Sequence, residues 1–467
     1  MRTSETLALG IWLLLMPWIV AFTPIAQASE AYYVVKDGDT LWGIAARFNV
    51  SLEELVEFNN LTEASILSVG AQLIIPGLGG YPGEVDTITV NYGDSLASIR
   101  RILQVTKQLL VTLNHLTSPQ ELYAGANLVV PAEAREPKGS DRAWVEAGST
   151  LLELAAIKNQ NPWSLILGND LPGGWGTLPG DVLTIPGDEV SSPGALPESI
   201  EAIAITTPVI QGKTFVMKVQ GGSEYILSGS LSSQKLGINP VAGGFVALQG
   251  IHAMAEPGFY PLTLEIENPN LGAQPGSTFT FSQLIYMRDG GYPFDPPLSV
   301  PAETLDPEIT EPEDALWASL GETFTAEKMW QGAFASPVPE EFIDCWTSTF
   351  GNRRSYNGSP YNRYHSGLDF CGGAGTELYA PAAGKVVFAG PLTVRGNATV
   401  IDHGWGVYTA YAHQAEIFVK PGDLIQAGEL IGLGGATGRV TGPHLHWEVW
   451  VGGVQVDPAE WLLNTYP

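Results

Sequence analysis

Near its C-terminus the chain reads Gly442-Pro443-His444-Leu445-His446-Trp447-Glu448-Val449. Two histidines stand two residues apart in a run of aromatic and branched neighbours, which is the composition of a strand. In a strand even spacing puts both side chains on one face, so His444 and His446 are expected to project together. Upstream, His365-Ser366-Gly367-Leu368-Asp369 sets a histidine and a carboxylate four residues apart. The glycine between them argues for extended or loop backbone rather than helix, where even spacing again gives a shared face. Of the 7 histidines, five lie between His365 and His446, including His413 in Tyr411-Ala412-His413. Two converging pairs on adjoining strands would surround one metal ion with nitrogen and oxygen donors.

Taken in order, His-x-x-x-Asp, Tyr-x-His and Gly-Pro-His-x-His resemble the lysostaphin/LytM-type zinc endopeptidases. The similarity runs over residues 334–467 and takes in Phe350-Gly-Asn-Arg-Arg354, Ala380-Pro-Ala-Ala-Gly384, Ile401-Asp-His-Gly404 and Gly428-Glu-Leu-Ile-Gly432. It implies an antiparallel-β zinc peptidase domain in which His365, Asp369 and His446 hold Zn2+. By the same resemblance, His413 and His444 are the catalytic histidines that do not bind metal, suited to proton transfer and to hydrogen-bonding an oxyanion. No His-Glu-x-x-His helix is present, so a glutamate base of that type is not expected. His403, in Asp-His-Gly, reads as a structural histidine and His115 as a surface one. Cys371-Gly-Gly after the aspartate and Val440 before Thr-Gly-Pro-His depart from the family pattern without removing a reacting group.

Toward the other end, three landmarks recur every 55 residues. Gly38-Asp39-Thr40 returns as Gly93-Asp94-Ser95 and Gly148-Ser149-Thr150; Asn59 returns as Asn114 and Asn169; Pro76 returns as Pro131 and Pro186. Shared register across three landmarks marks a repeat. Each unit reads as strand–helix–helix–strand. Thr40 is placed to cap a helix with Leu41, Ile44, Ala45 and Phe48 on one face, and Ser51 with Glu54 forms a capping box for a second. The units resemble LysM domains at residues 31–77 and 86–132, with a degenerate copy at 140–187 in which Lys158 and Gly168 replace Phe48 and Phe58. The resemblance implies binding of N-acetylglucosamine-containing glycan, through the glycine turn and the segment around Asn59 and Asn114.

Between these ends, residues 195–290 show short alternating runs such as Leu262-Thr-Leu-Glu-Ile266, separated by glycine and proline, as in an immunoglobulin-like β-sandwich. His252 is alone there and reads as structural. Residues 291–333 are proline-rich and acidic, with one short helix expected from Glu313 to Leu320, and read as a linker setting the distance between the two ends.

A chain of 467 residues exceeds one ordinary core, and its 54 glycines and 34 prolines favour short strands and tight turns. The expected fold class is therefore multidomain and mainly β, with small α+β repeats. Acidic residues outnumber basic ones 49 to 22, for a formal net charge of −27, a field that repels a phosphate backbone, so nucleic acid is not expected as a partner. Residues 1–28 read as an export signal: Arg2, an apolar run from Leu7 to Phe22, then Ala26-Gln27-Ala28. The run falls short of the ~20 residues of a spanning helix. Membrane attachment is expected only if this signal stays uncleaved. In an exported chain an isolated pair, Cys345 and Cys371, most often forms a disulfide, with free thiols as the alternative.

Together these readings describe a secreted, wall-associated endopeptidase that hydrolyses the peptide cross-links of peptidoglycan and is held there by its glycan-binding units. The competing reading is a catalytically silent wall-binding protein that activates or positions another hydrolase. A third is a bacteriocin-like enzyme directed at other species. Silent relatives usually lose a ligand or a catalytic histidine, and none is lost here. Which peptide bond is cut, and the oligomeric state, are not legible in the sequence.

Overall fold

Local signals in the N-terminal repeats build the same small unit three times. In the first, the strands Tyr32–Val34 and Gln72–Ile74 pair antiparallel around the helices Leu41–Phe48 and Leu52–Phe58. Thr40 accepts from Gly43 N at 3.0 Å, and Ser51 with Glu54 closes the capping box. Tyr33, Ile44, Phe48, Leu55 and Leu73 form its core. The computed structural model describes residues 30–63, 65–78, 81–134, 140–186, 194–272 and 277–467, so the segment read as an export signal lies outside it. The described residues fall into two compact units that divide between Val85 and Asp86. The architecture is mainly β with few helices, and no helix among the described residues is long and apolar enough to cross a membrane.

The second and third repeats keep the order. Helices Leu96–Leu103 and Lys107–Leu113 belong to the second, and helices Leu151–Ile157 and Pro162–Gly168 to the third. In the third, Lys158 caps the first helix and pairs with Glu198 and, at 3.5 Å, with Asp141. The recurring asparagine has one job in all three. The Asn114 amide donates to the carbonyls of Leu110 and Val129 at 2.9 and 2.8 Å, and its oxygen accepts from Val129 N at 2.7 Å. Asn59 and Asn169 make the same three bonds. It staples the second helix to the closing strand, and its own hydrogen-bonding groups are engaged within the unit.

The glycine turn also differs between copies. Gly38 and Thr40 are exposed in the first repeat. In the second, Gly93 N donates to Gln283 Oε1 at 3.0 Å, the Gly93 carbonyl accepts from Ala195 N at 2.9 Å, and Asp94 is only 8% exposed. That turn is covered by the domain that follows it.

In that domain one sheet has five strands, in the order Gln234–Lys235, Ile226–Leu231, Gly258–Glu267, Thr278–Arg288, Val209–Ile210. The other has four, in the order Gly237–Val241, Gly244–Gly250, Thr214–Gly221, Ile200–Ile205. Phe215, Met217, Leu262, Leu264, Ile266 and Ile285 from both sheets share one core. Lys213 Nζ lies 2.6 Å from Asp457, and Thr214 N donates to Glu460 at 2.7 Å, so the two sheets are fastened to the C-terminal domain.

The C-terminal domain is one large antiparallel sheet. Its central order is Trp346–Ser348, Leu368–Phe370, Leu445–Val451, Val407–Ile417, Asn397–Gly404, Gly384–Pro391 and Leu424–Ile425. Leu445, Trp447, Val449 and Val451 bury one face of their strand in the main core, where Trp330, Trp405 and Trp461 also sit. Cys345 and Cys371 are joined, with 5.6 Å between Cα atoms, beside the edge strand. The acidic segment is not a free spacer. Residues Pro307–Leu320 form a helix that lays Trp317 against Trp450 and Tyr408 on the second face of the sheet. Glu313 on that helix accepts from the backbone N–H groups of Thr393, Val394 and Arg395 at 2.8–3.0 Å. The acidic composition had hidden one apolar and hydrogen-bonding face.

Replacing Asn114 by Ala strips three bonds and leaves Val129 N–H unpaired, at a cost of about 2 kcal/mol. Hydrogen exchange at the Val129 amide is then expected to quicken by roughly thirtyfold. An unchanged rate would mean the staple is dispensable.

Candidate metal and catalytic centre

Asp369 stands directly opposite His446 in the pairing of Leu368–Phe370 with Leu445–Val451, and His446 is in turn opposite Ala412 on Val407–Ile417. His365 precedes the first of these strands at a bend. The bend passes so close to its neighbour that a Cβ on Gly367 would meet the Trp447 carbonyl at 2.5 Å and the His446 ring at 2.8 Å. Only glycine fits that approach.

Three donor atoms converge as a result. His365 Nε2 lies 2.9 Å from Asp369 Oδ1 and 3.0 Å from His446 Nδ1, and His446 Nδ1 lies 2.8 Å from Asp369 Oδ1. Among the described residues this trio is the one group of histidine, cysteine and acidic side chains able to hold a metal ion. The far nitrogens fix the tautomers. His365 Nδ1 donates to the Thr349 carbonyl at 2.8 Å, and His446 Nε2 donates to Glu448 Oε1 at 2.9 Å. A carbonyl or carboxylate oxygen only accepts, so in the neutral rings both inner nitrogens carry lone pairs.

The three groups pair with one another, and a bound metal would have to displace the proton that His446 holds in that pairing. Burial raises the Asp369 carboxyl, but His365 and His446 more than reverse this and hold it well below the ordinary range. Burial pulls His446 down, yet its bonds to Asp369 and Glu448 outweigh burial and lift it to about 9. Glu448 is buried and sits near 2, because the His446 bond outweighs the upward push of desolvation. Besides His446, Glu448 accepts from Ser366 Oγ at 2.6 Å, Trp450 Nε1 at 2.6 Å and Trp317 Nε1 at 3.1 Å. Sequence reasoning passed over this carboxylate although it lies two residues after His446. The even spacing that joins His444 to His446 also puts Glu448 on the same face, and that was the available signal.

His413 and His444 lie beside the trio. Their ring centroids are 5.0 Å apart, and His413 is 6.0 Å from His446. Strict alternation from Tyr411, which is in the main core, would send His413 inward as well. Instead the pairing with Asn397–Gly404 shifts register between Asn397 and Thr399, and His413 adopts φ 63°. This bulge turns the ring back toward the centre. His413 Nδ1 donates to the Thr437 carbonyl and His444 Nδ1 to the Gly442 carbonyl, each at 2.8 Å, leaving Nε2 on both rings for a reactant. Burial first, then the neighbouring His446 and His444, push His413 down to about 3, so it is neutral over the physiological range. His444 Nε2 lies 3.7 Å from Asp369 Oδ1.

Neither His403 nor His252 belongs to the converging trio. His403 is fully buried between the Ala383 carbonyl at 2.8 Å and Thr409 Oγ1 at 2.9 Å, and burial lowers it to about 4. His252, on the two-sheet domain, packs edge-on to Tyr364 at 5.1 Å and forms part of the wall of the open groove beside the centre. Thr310 and Trp317 from the acidic helix line the same groove. Three parts of the chain therefore build it.

Comparison with known proteins agrees with this geometry. Residues 363–458 match the family model described as Peptidase family M23, and residues 33–76 and 88–131 match the LysM domain. The DD-carboxypeptidase/endopeptidase Mpg of Neisseria meningitidis is 42% identical over 103 residues, which is 22% of this chain and 24% of that protein. The peptidoglycan DD-endopeptidase ShyA of Vibrio cholerae is 41% identical over 111 residues, 24% of this chain and 26% of that protein. The chain thus spans about a quarter of each of these relatives. A crystal structure of a putative peptidase M23 from Pseudomonas aeruginosa is 27% identical, covering 56% of this chain and 97% of that one with a TM-score of 0.41. The third repeat is not matched, though it shares the strand–helix–helix–strand order. The five histidine and aspartate side chains of the centre all fall within 363–458: this chain carries a peptidase domain of family M23 and, ahead of it, two LysM domains.

Proposed function

We propose that this chain is an exported, zinc-dependent endopeptidase that hydrolyses peptide cross-links of peptidoglycan and is retained at the wall by its LysM units. The observation that carries the reading is the convergence of His365 Nε2, His446 Nδ1 and Asp369 Oδ1 with two further histidines alongside. Two neutral imidazoles and a carboxylate fit zinc, and a set of three leaves a fourth position for reactants, as in catalytic rather than structural sites. When bound, zinc supplies Lewis acidity toward water and toward the scissile carbonyl.

The protein's own groups supply the proton transfers and the positioning. His413 and His444 each have Nδ1–H tied to a backbone carbonyl, so Nε2 is the atom that accepts a proton from the attacking water. Once protonated, the same nitrogen can donate to the departing amine or to the oxyanion. Neutrality of His413 keeps that nitrogen unprotonated at the start of the cycle. Glu448 holds the His446 ring in register and is itself held by Trp317, Trp450 and Ser366. The names of the Vibrio and Neisseria relatives point to a bond between D-amino acids as the one cut. Tethering through glycan raises the local concentration of that bond. Of the two matched LysM units, the first has the exposed glycine turn and is assigned the tethering role.

His365→Ala is expected to lose zinc and activity together. His444→Ala is expected to keep one equivalent of zinc yet cut cross-linked muropeptides at least about a hundredfold more slowly. Metal analysis with chromatography of the products separates the two, and equal metal loss in both would sink the division of roles. Zinc-loaded wild type that leaves muropeptides whole would favour the silent wall-binding reading. A subtler variant is Glu448→Gln, which keeps the shape but weakens the brace on His446. Zinc affinity should fall about 10- to 100-fold, measured by competition with a chelating dye, while the unfolding midpoint stays near that of wild type.

A further inference from the structure

The groove beside the centre is lined by both signs of charge, the carboxylates Asp295, Asp314, Asp369 and Glu448 among them. Arg354, Arg363, Arg395 and Arg439 all line it. Two of them are neutralised. Arg354 Nε is 3.0 Å from Asp295, and Arg395 is 3.0 Å from Glu313 and 2.9 Å from Asp314. Arg439 and Arg363 form no ion pair among the described residues.

Arg439 is the more confined of the two. Its Nη1 donates to the Thr304 carbonyl at 3.1 Å, and its guanidinium lies 4.4 Å over the Tyr356 ring. Burial first, then the charges of Arg363 and Arg395, lower its pKa, although Tyr356 and Asp314 act in the other direction. A guanidinium keeps its charge regardless and presents a fork that matches a carboxylate. The loop that bears it is also the one that orients the reacting groups: Thr437 holds His413, Gly442 holds His444, and Arg439 lies between them. Arg439 N is itself fixed to the Val394 carbonyl at 2.8 Å. An anion on Arg439 would therefore be registered against both histidines through one short segment.

Resting on the endopeptidase reading, we propose that Arg439, with Arg363 beside it, is a specificity residue that binds a free carboxylate of the substrate peptide and sets the scissile bond against His413 and His444. The carboxylate is either the peptide's terminal group or an acidic side chain of the stem.

Matched cross-linked peptides, with each carboxylate free or amidated in turn, distinguish these sources. Amidation of one of the two is expected to lower kcat/KM of the wild type at least about tenfold, mainly through KM. Arg439→Gln should lose a similar factor on the free peptide, lose nothing further on the amidated one, and keep its zinc. Arg439→Lys should recover part of the loss. Calorimetry with the His444→Ala variant reads the subsite without turnover, the free carboxylate binding at least about tenfold more tightly. Wild type that cuts and binds free and amidated peptides alike overturns the proposal, as does an Arg439→Gln loss that is equal on both. Wild type that cuts neither peptide counts against the endopeptidase reading, while the binding comparison still decides the carboxylate site.

Discussion

The cross-strand register that sets Asp369 opposite His446 is the constraint on which the rest of the centre depends. It brings a carboxylate oxygen and an imidazole nitrogen to 2.8 Å, and the bend before Asp369 delivers His365 to the same point. A slip of one residue would send the whole set to the opposite face. That register is secured from several directions. Trp447, Val449 and Val451 lock the strand on the core side, and the disulfide between Cys345 and Cys371 ties down the edge next to Asp369. Gly367 permits the close passage without which His365 would stand off.

Around this point the protein has built outward rather than relying on one domain. Glu448 fixes the outer nitrogen of His446, and Trp317 reaches it from a helix 131 residues upstream. The same helix places Glu313 on the backbone leading to Arg395, whose carbonyl holds His413 N at 2.9 Å. The brace on His446 and the placement of His413 thus share a single element. The two-sheet domain is fastened on another side through Lys213 and Thr214 and lends His252 to the groove wall. The groove is thus walled by three stretches of chain.

Much of this was legible in the sequence, for physical reasons. Even spacings of two and four residues in extended backbone put His444 with His446 and His365 with Asp369, because strand side chains alternate. Repeat landmarks exposed the N-terminal units because each needs the same caps and the same stapling asparagine. What stayed hidden depends on contacts distant in sequence or on breaks in a pattern. His413 was named through the resemblance alone, because alternation from Tyr411 points it inward and only a bulge brings it to the centre. Trp317 and Glu313 were masked by acidic, proline-rich neighbours, since composition averages over a helix whose two faces differ. The covered turn at Gly93 and Asp94 could not be foreseen, because the copy at Gly38 has the same residues in an open setting.

The most direct test is digestion of isolated peptidoglycan sacculi by the purified chain, followed by mass spectrometry of the released muropeptides. The account predicts that cross-linked dimers disappear as free amino and carboxyl ends appear in the peptide part, with no new reducing sugar ends. A chelator should stop the reaction and added zinc should restore it. Intact dimers after treatment with fully zinc-loaded protein, or cuts in the glycan instead, would contradict it.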